Sequence, residues 1–191
     1  ALIAIKDWDG AIKTLEEFRR RFPNHALQPE VTKKLAAAHL EKGQSASAAA
    51  EFERIAAASK DPKVARDALW QAAELYDKGN SKPAAARAYE RYLALNPPSL
   101  EAQVEARYRI AVIARDTGNP AREAALMREI FAADQSGGAA RTDRTRYLAA
   151  SAALAMAEPV AADYRSVRLV EPLQRQLKLK KEKMELALKA Y

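Results

Sequence analysis

The chain has no cysteine among its 191 residues, which excludes disulfides, thiolate metal sites and a cysteine nucleophile. Aromatic residues are scarce, at 7%, although 49% of the chain is hydrophobic. Its core must therefore be built largely from alanine, which lets helices approach closely and has the best helix propensity. No apolar run reaches the roughly 18 residues that a membrane-spanning helix needs. There are two histidines, His25 and His39, and neither has a second ligand at a spacing such as His-x3-His. Both read as structural. No Gly-x-Ser-x-Gly occurs, and Gly137-Gly138 lacks the Lys-Ser/Thr that completes a phosphate-cradling loop. Glu16 and Glu17, adjacent on a helix, point about 100° apart and cannot act as a pair. No enzyme, cofactor or small-molecule substrate is expected.

The stretch from Ala68 to Pro97 organises what is present. Leu69, Ala72, Ala73 and Tyr76 fall at i, i+3, i+4 and i+7, one face of an α-helix. Gly79-Asn80 stops that helix, since both tolerate the left-handed conformation. Ser81 is placed to cap the next helix and Pro83 suits its first turn. Ala85, Tyr89 and Tyr92 form its inward stripe, and Asn96-Pro97 closes it. Two short helices cannot bury so much apolar face alone, so they need copies stacked beside them.

The copies are present. Ala11, Leu15, Phe18 and Pro23 follow Asp9-Gly10; Ala48, Phe52 and Ile55 follow Gly43; Ala124, Met127, Ile130 and Phe131 follow Gly118-Asn119. Gly43, Gly79 and Gly118 are 36 and 39 residues apart. This pattern resembles the tetratricopeptide repeat, a helix pair of about 34 residues with a Gly turn, an Ala-x3-aromatic helix and a closing Pro. The usual Trp-x2-Leu-Gly opening is missing, and His39 stands where an aromatic is common. The resemblance implies an all-α, right-handed α-solenoid of helix pairs over residues 1–135. A degenerate repeat and atypical C-terminal capping helices fill 139–191, with a flexible joint at Ser136-Gly137-Gly138.

In such proteins the first helix of each pair lines a concave groove that binds protein or peptide. Carried over in register, the groove positions include Lys33, Ala37, Trp70, Glu74, Lys78, Arg109 and Ile113. Trp70 stands out because it does not fit the inward stripe, and exposed Trp and Arg often anchor binding surfaces. The alternative for Trp70 is packing on an adjacent helix. The phrases FPNHALQPEV and Asn96-Pro97-Pro98-Ser99 resemble joints of exported bacterial tetratricopeptide proteins. The C-terminal segment is similar to parts of long envelope proteins. These resemblances imply a periplasmic or outer-membrane-associated location, with cytoplasmic as the alternative.

Further along, helices are expected over Trp8–Arg21, Pro29–Lys42, Ser45–Ser59, Pro62–Lys78, Ser99–Thr117 and Pro120–Asp134. Thr142–Met156 should be a helix carrying Tyr147, Leu148, Ala152 and Leu154, ended by Glu158-Pro159. A separate Val160–Val170 helix follows, then a last one from Glu171-Pro172 with Leu173, Leu177, Met184, Leu188 and Tyr191 on one stripe. Residues 1–6 read as the end of a truncated helix, so the chain is expected to be part of a longer protein. No Ser/Pro-rich linker divides it, which favours one solenoid domain over two.

The net charge is +7. Residues 141–191 hold 11 Lys and Arg against 6 Asp and Glu, so most of the excess lies there. Lys180, Lys181 and Lys183 are interleaved with Glu182 and Glu185 and lack an aromatic stacking set, so a solvated helix face outweighs nucleic-acid binding. Three functional readings stand in order: a polypeptide-binding module, an architectural spacer within a longer superhelix, and a weak nucleic-acid binder.

Overall fold

The computed structural model describes residues 2–169 and 173–191, and among them the regular structure is helical throughout. After a 3-10 turn at Ile3–Ile5 come α1 (Trp8–Arg21), α2 (Gln28–Glu41), α3 (Ser45–Ala58), α4 (Pro62–Lys78) and α5 (Lys82–Ala94). Then follow α6 (Leu100–Asp116), α7 (Pro120–Ser136), α8 (Asp143–Ser166) and α9 (Leu173–Ala190). They form two compact units, residues 1–97 and 98–191. In the first, α1 to α5 pack each on the next; in the second, α6 to α9 do so and α6 also touches α8. The joint expected at Ser136-Gly137-Gly138 lies inside the second unit, with α7 and α8 packed across it. A Cβ at Gly137 would press on the end of the Leu100 side chain and come within 3.1 Å of Ala133 O, so glycine fits this close approach best.

Three turns repeat the same geometry. Gly43, Asn80 and Gly118 each adopt a left-handed φ, of 69°, 56° and 73°. The residue after each donates its N–H five positions back: Gln44 to His39 O at 2.9 Å, Ser81 to Tyr76 O and Asn119 to Ala114 O at 2.8 Å. This double turn satisfies the last carbonyls of α2, α4 and α6. It also corrects the expected register. The left-handed residue of the middle turn is Asn80, not Gly79, so the true spacings are 37 and 38 residues. Gly79 is small for another reason: a Cβ there would sit 3.3 Å from Ala46 N and Ser45 Cβ, where α3 begins.

Caps set most helix starts. Asp61 accepts from Lys63 N–H, Ser99 from Ala102 N–H and Asn119 from Arg122 N–H. Ser81, expected to cap α5, makes no side-chain cap bond. The stripes of α4 and α5 lie inward as expected: Leu69, Ala72 and Ala73 are buried, as are Ala85, Tyr89 and Tyr92. Phe131 of α7 and Tyr147 and Leu154 of α8 are apolar yet exposed.

The C-terminal helices differ most from expectation. Pro159 does not end a helix; α8 runs through it. A mid-helix proline removes one backbone bond, yet Ala157 and Ala161 on either side are both buried, and their packing offsets that cost. The start of α9 expected at Glu171-Pro172, and the expected end at Val170, lie outside the described residues, as does Ala1. Within α9, Leu173, Leu177, Met184, Leu188 and Tyr191 face outward, and Ala187 is the buried residue. The helix is held by lysines: Lys183 pairs with Asp163, and Lys180 Nζ donates to Val167 O at 3.0 Å over the Tyr164 ring.

Polar clamps fix the helix registers. Tyr76 OH donates to Glu53 Oε2 at 2.8 Å, and Arg91 Nη1 to Glu53 Oε1 at 2.5 Å, joining α3, α4 and α5. Burial, and then the bond to the Glu53 carboxylate, push the Tyr76 hydroxyl up to about 12. In the second unit Asp134 is 1% exposed and accepts from Arg141 Nη2 and Thr145 Oγ1, both at 2.7 Å. Thr145 also completes a capping box with Thr142 at the start of α8. The Arg141 hydrogen bond outweighs burial and holds the Asp134 carboxyl below its ordinary value.

Replacing Asp134 with Asn should cost about 2 kcal/mol in chemical denaturation at neutral pH, because Arg141 and Thr145 lose a charged acceptor. A lowered folded pKa stabilises fully above the unfolded value of 3.8 and fades as pH falls through the folded one. The gap between wild type and Asp134→Asn should therefore be constant near neutrality and close in acid. Tyr76 has the opposite sign. Its contribution is complete below 10.0 and is lost as pH rises toward about 12. The stability difference between wild type and Tyr76→Phe should hold at neutral pH and shrink only across that alkaline window.

Candidate functional site

The residues carried over as groove positions separate when placed on the helices. Glu74 and Lys78, one turn apart on α4, are exposed on a cleft of about 330 Å³ between α2, α3 and α4. Leu40, Phe52, Gln71 and Leu75 complete its lining. Lys33 belongs to a different cleft, of about 520 Å³, where the C-terminal ends of α1 and α3 meet the starts of α2 and α4. Ala37 is exposed on α2, outside the linings of both clefts.

Trp70 is half-buried and turned toward α5. Its ring packs edge-on against Tyr89 at 5.1 Å and Tyr92 at 5.2 Å between centroids. Such pairs contribute about 0.5–1.5 kcal/mol each beyond burial, so the indole has an internal role whatever it does at the surface. In the second unit, Arg109 is exposed, with Nε donating to Glu105 Oε1 at 3.1 Å; Arg144 holds the other oxygen at 2.8 Å. Ile113 is only 4% exposed and corrects the expectation: it is core, not a groove anchor. The physical reason is rotation. Four residues on an α-helix turn about 40° beyond a full circle. That carries position 113 from the Arg109 face into the stripe of Ala106, Ile110 and Ala114.

Both histidines are committed to local structure. His25 Nδ1 accepts from Leu27 N–H at 3.1 Å and its ring meets Phe18 edge-on. His39 is buried, with Nδ1 2.7 Å from Gln44 Oε1 at the α2–α3 turn.

The larger cleft contains a pair that sequence inspection overlooked. Glu51 is 6% exposed, and its two oxygens accept from Arg19 Nη1 at 2.8 Å and Nη2 at 2.5 Å. Arg19 Nη2 also reaches Thr32 Oγ1 at 3.5 Å, so one guanidinium ties α1 to α2 and α3. The signal was available. Glu51 stands among alanines on the inward stripe of α3, between Ala48 and Ile55, where a charge needs a partner. Removing the guanidinium leaves a buried carboxylate with only Arg54 nearby, at 3.7 Å. Arg19→Ala should therefore cost about 3 kcal/mol, read as a lower melting temperature, while Arg20→Ala on the exposed side of the same helix changes little.

Comparison with known proteins follows the helices. The tetratricopeptide-repeat family matches the chain over residues 1–62, 33–100 and 71–137. No curated protein matches it. Each of the three overlapping matches takes in at least one turn of the Gly43, Asn80 and Gly118 kind, and together they span α1 to α7. Repeats of this family generally mediate protein–protein interaction. With helices packed in succession within each unit, turns recurring every 37 or 38 residues and family matches over most of its length, the chain belongs to the tetratricopeptide-repeat family.

Proposed function

We propose that the chain is a non-catalytic module that binds a polypeptide on its first unit, along α2 and α4. The observation that carries this reading is the cleft of Glu74 and Lys78. One apolar side chain, Leu40, is 43% exposed beside Phe52, and a carboxylate and an ammonium stand one turn apart on the rim. Rigid helices present these groups with little entropy left to lose on docking. An apolar partner residue flanked by one charge of each sign would match it. A cell-envelope location is part of the proposal and is supported by the two Pro joints at Phe22-Pro23-Asn24-His25 and Asn96-Pro97-Pro98-Ser99.

A second reading, an architectural segment whose contacts are with adjoining helix pairs, is favoured by α9. Its outward stripe of Leu173, Leu177, Met184, Leu188 and Tyr191 is apolar surface that water solvates poorly. Nucleic-acid binding is the weakest reading, since Lys180 and Lys183 are already engaged within the second unit.

A photo-crosslinker placed at Gln71 separates the first two readings. Illumination in lysate of the source organism should give one discrete adduct, absent when the crosslinker is moved to the exposed Lys13. The adduct should be lost in the Glu74→Lys/Lys78→Glu double variant. Adducts from Leu188 and none from Gln71 would replace the module with the architectural segment. Immunodetection of the natural protein in periplasmic and cytoplasmic fractions tests the location, and a purely cytoplasmic signal removes the envelope proposal.

A further inference from the structure

The two clefts of the first unit differ in charge. On the α2–α4 cleft Glu74 and Lys78 cancel. The larger cleft is lined by three cations, Arg19, Lys33 and Arg54, and by no carboxylate. Glu51, buried beneath, offsets Arg19, which it holds with both oxygens. Two positive charges remain. Lys33 makes no salt bridge among the described residues, and Arg54 approaches Glu51 no closer than 3.7 Å while 59% of its side chain stays exposed. Glu30, one turn before Lys33 on α2, feels the Lys33 charge but is itself paired with Lys34 at 2.8 Å, and the nearby Asp61 does not compensate either. Its carboxylate caps its own helix through Lys63 N–H at 2.8 Å, and Lys60 and Lys63 flank it.

The walls between these cations are apolar: Pro23, Pro29, Ile55, Ala58 and Val64, the last 44% exposed. The cleft volume of about 520 Å³ lies within the range of ligand-holding pockets, roughly 300–1,000 Å³. An apolar floor with a one-signed rim selects a ligand that is apolar in the middle and charged at its edges.

We propose that this cleft docks an acidic peptide segment carrying an apolar side chain. The apolar group lies against Ile55 and Val64, and flanking carboxylates meet Lys33 and Arg54. The inference rests on the reading that the first unit binds polypeptide, and it assigns a second, charge-selective site to that unit. Self-association through this face is disfavoured, because two copies would oppose cation to cation.

The test uses the whole chain and a short fluorescein-labelled peptide with a central Leu-Phe flanked by glutamates. Its partner probe replaces the glutamates with lysines. Fluorescence anisotropy should show saturable binding of the acidic peptide alone. Binding should weaken about tenfold in Lys33→Glu/Arg54→Glu and to a similar degree as salt rises from about 50 to about 500 mM. Both substitutions lie on exposed side chains, and an unchanged melting temperature confirms folding. Val64→Asp, also exposed, should weaken the acidic peptide without touching a cation. Equal binding of both peptides, no binding of either, or indifference to Lys33→Glu/Arg54→Glu would overturn the proposal. If affinity falls instead with Glu74→Lys/Lys78→Glu, this site is wrong while polypeptide binding along α2 and α4 stands.

Discussion

Alanine against alanine is the contact on which this fold depends. Among the described residues, Ala48, Ala49, Ala72, Ala73, Ala85 and Ala88 are all fully buried in the interfaces of the first unit. Each methyl buries little, about 0.8 kcal/mol per carbon group by the usual transfer scale. What alanine supplies is proximity: with only a methyl group between them, neighbouring helix backbones can approach closely. The few large side chains, such as Leu35, Tyr89 and Ile110, then fill what the alanines leave. A core of this kind is unforgiving of enlargement, because a bulkier residue separates two backbones rather than displacing one rotamer.

Alanine surfaces are smooth, and smooth surfaces slide. The ionic clamps answer that problem. Arg19 on Glu51, Tyr76 and Arg91 on Glu53, and Arg141 with Thr145 on Asp134 each connect different helices at one longitudinal position. Buried ion pairs are weak contributors to net stability compared with apolar packing, but their geometry is directional. In this protein they set register where methyl groups cannot. The same arrangement leaves Lys33 and Arg54 beside a carboxylate already fully used, which is how a structural clamp leaves an electropositive cleft.

Local chemistry was legible in the sequence; partner choice was not. The helices were readable because breakers act on their own neighbours: Gly43, Gly79-Asn80 and Gly118-Asn119 end helices wherever the chain goes, while the cap read at Ser81 does not form. The repeat was readable from alanine and glycine spacing, although Gly79 drew attention to the wrong residue, since glycine signals both left-handed φ and close approach. Ile113 was misplaced by the carried-over groove register, whereas the exposure of Tyr147 and of the α9 stripe was not legible for a second reason. Periodicity shows that a face is apolar but not which neighbour covers it. Pro159 was misread because a breaker's local cost can be outweighed by tertiary burial of Ala157 and Ala161. Of the candidate site, Glu74 and Lys78 came together as the register implied, while Lys33 fell on a separate cleft. Trp70 found its partners on α5.

The way α9 is attached has a consequence for how the protein comes apart. Among its described residues α9 buries only Ala187, with Leu179 40% and Met184 37% exposed, so its apolar contact is small beside that of the alanine interfaces. The Lys183 pair with Asp163 is part-exposed, the kind of contact that salt screens and that adds little. Segments with few buried apolar contacts lie at the low end of a molecule's stability range, which places α9 to open more readily than α6 to α8.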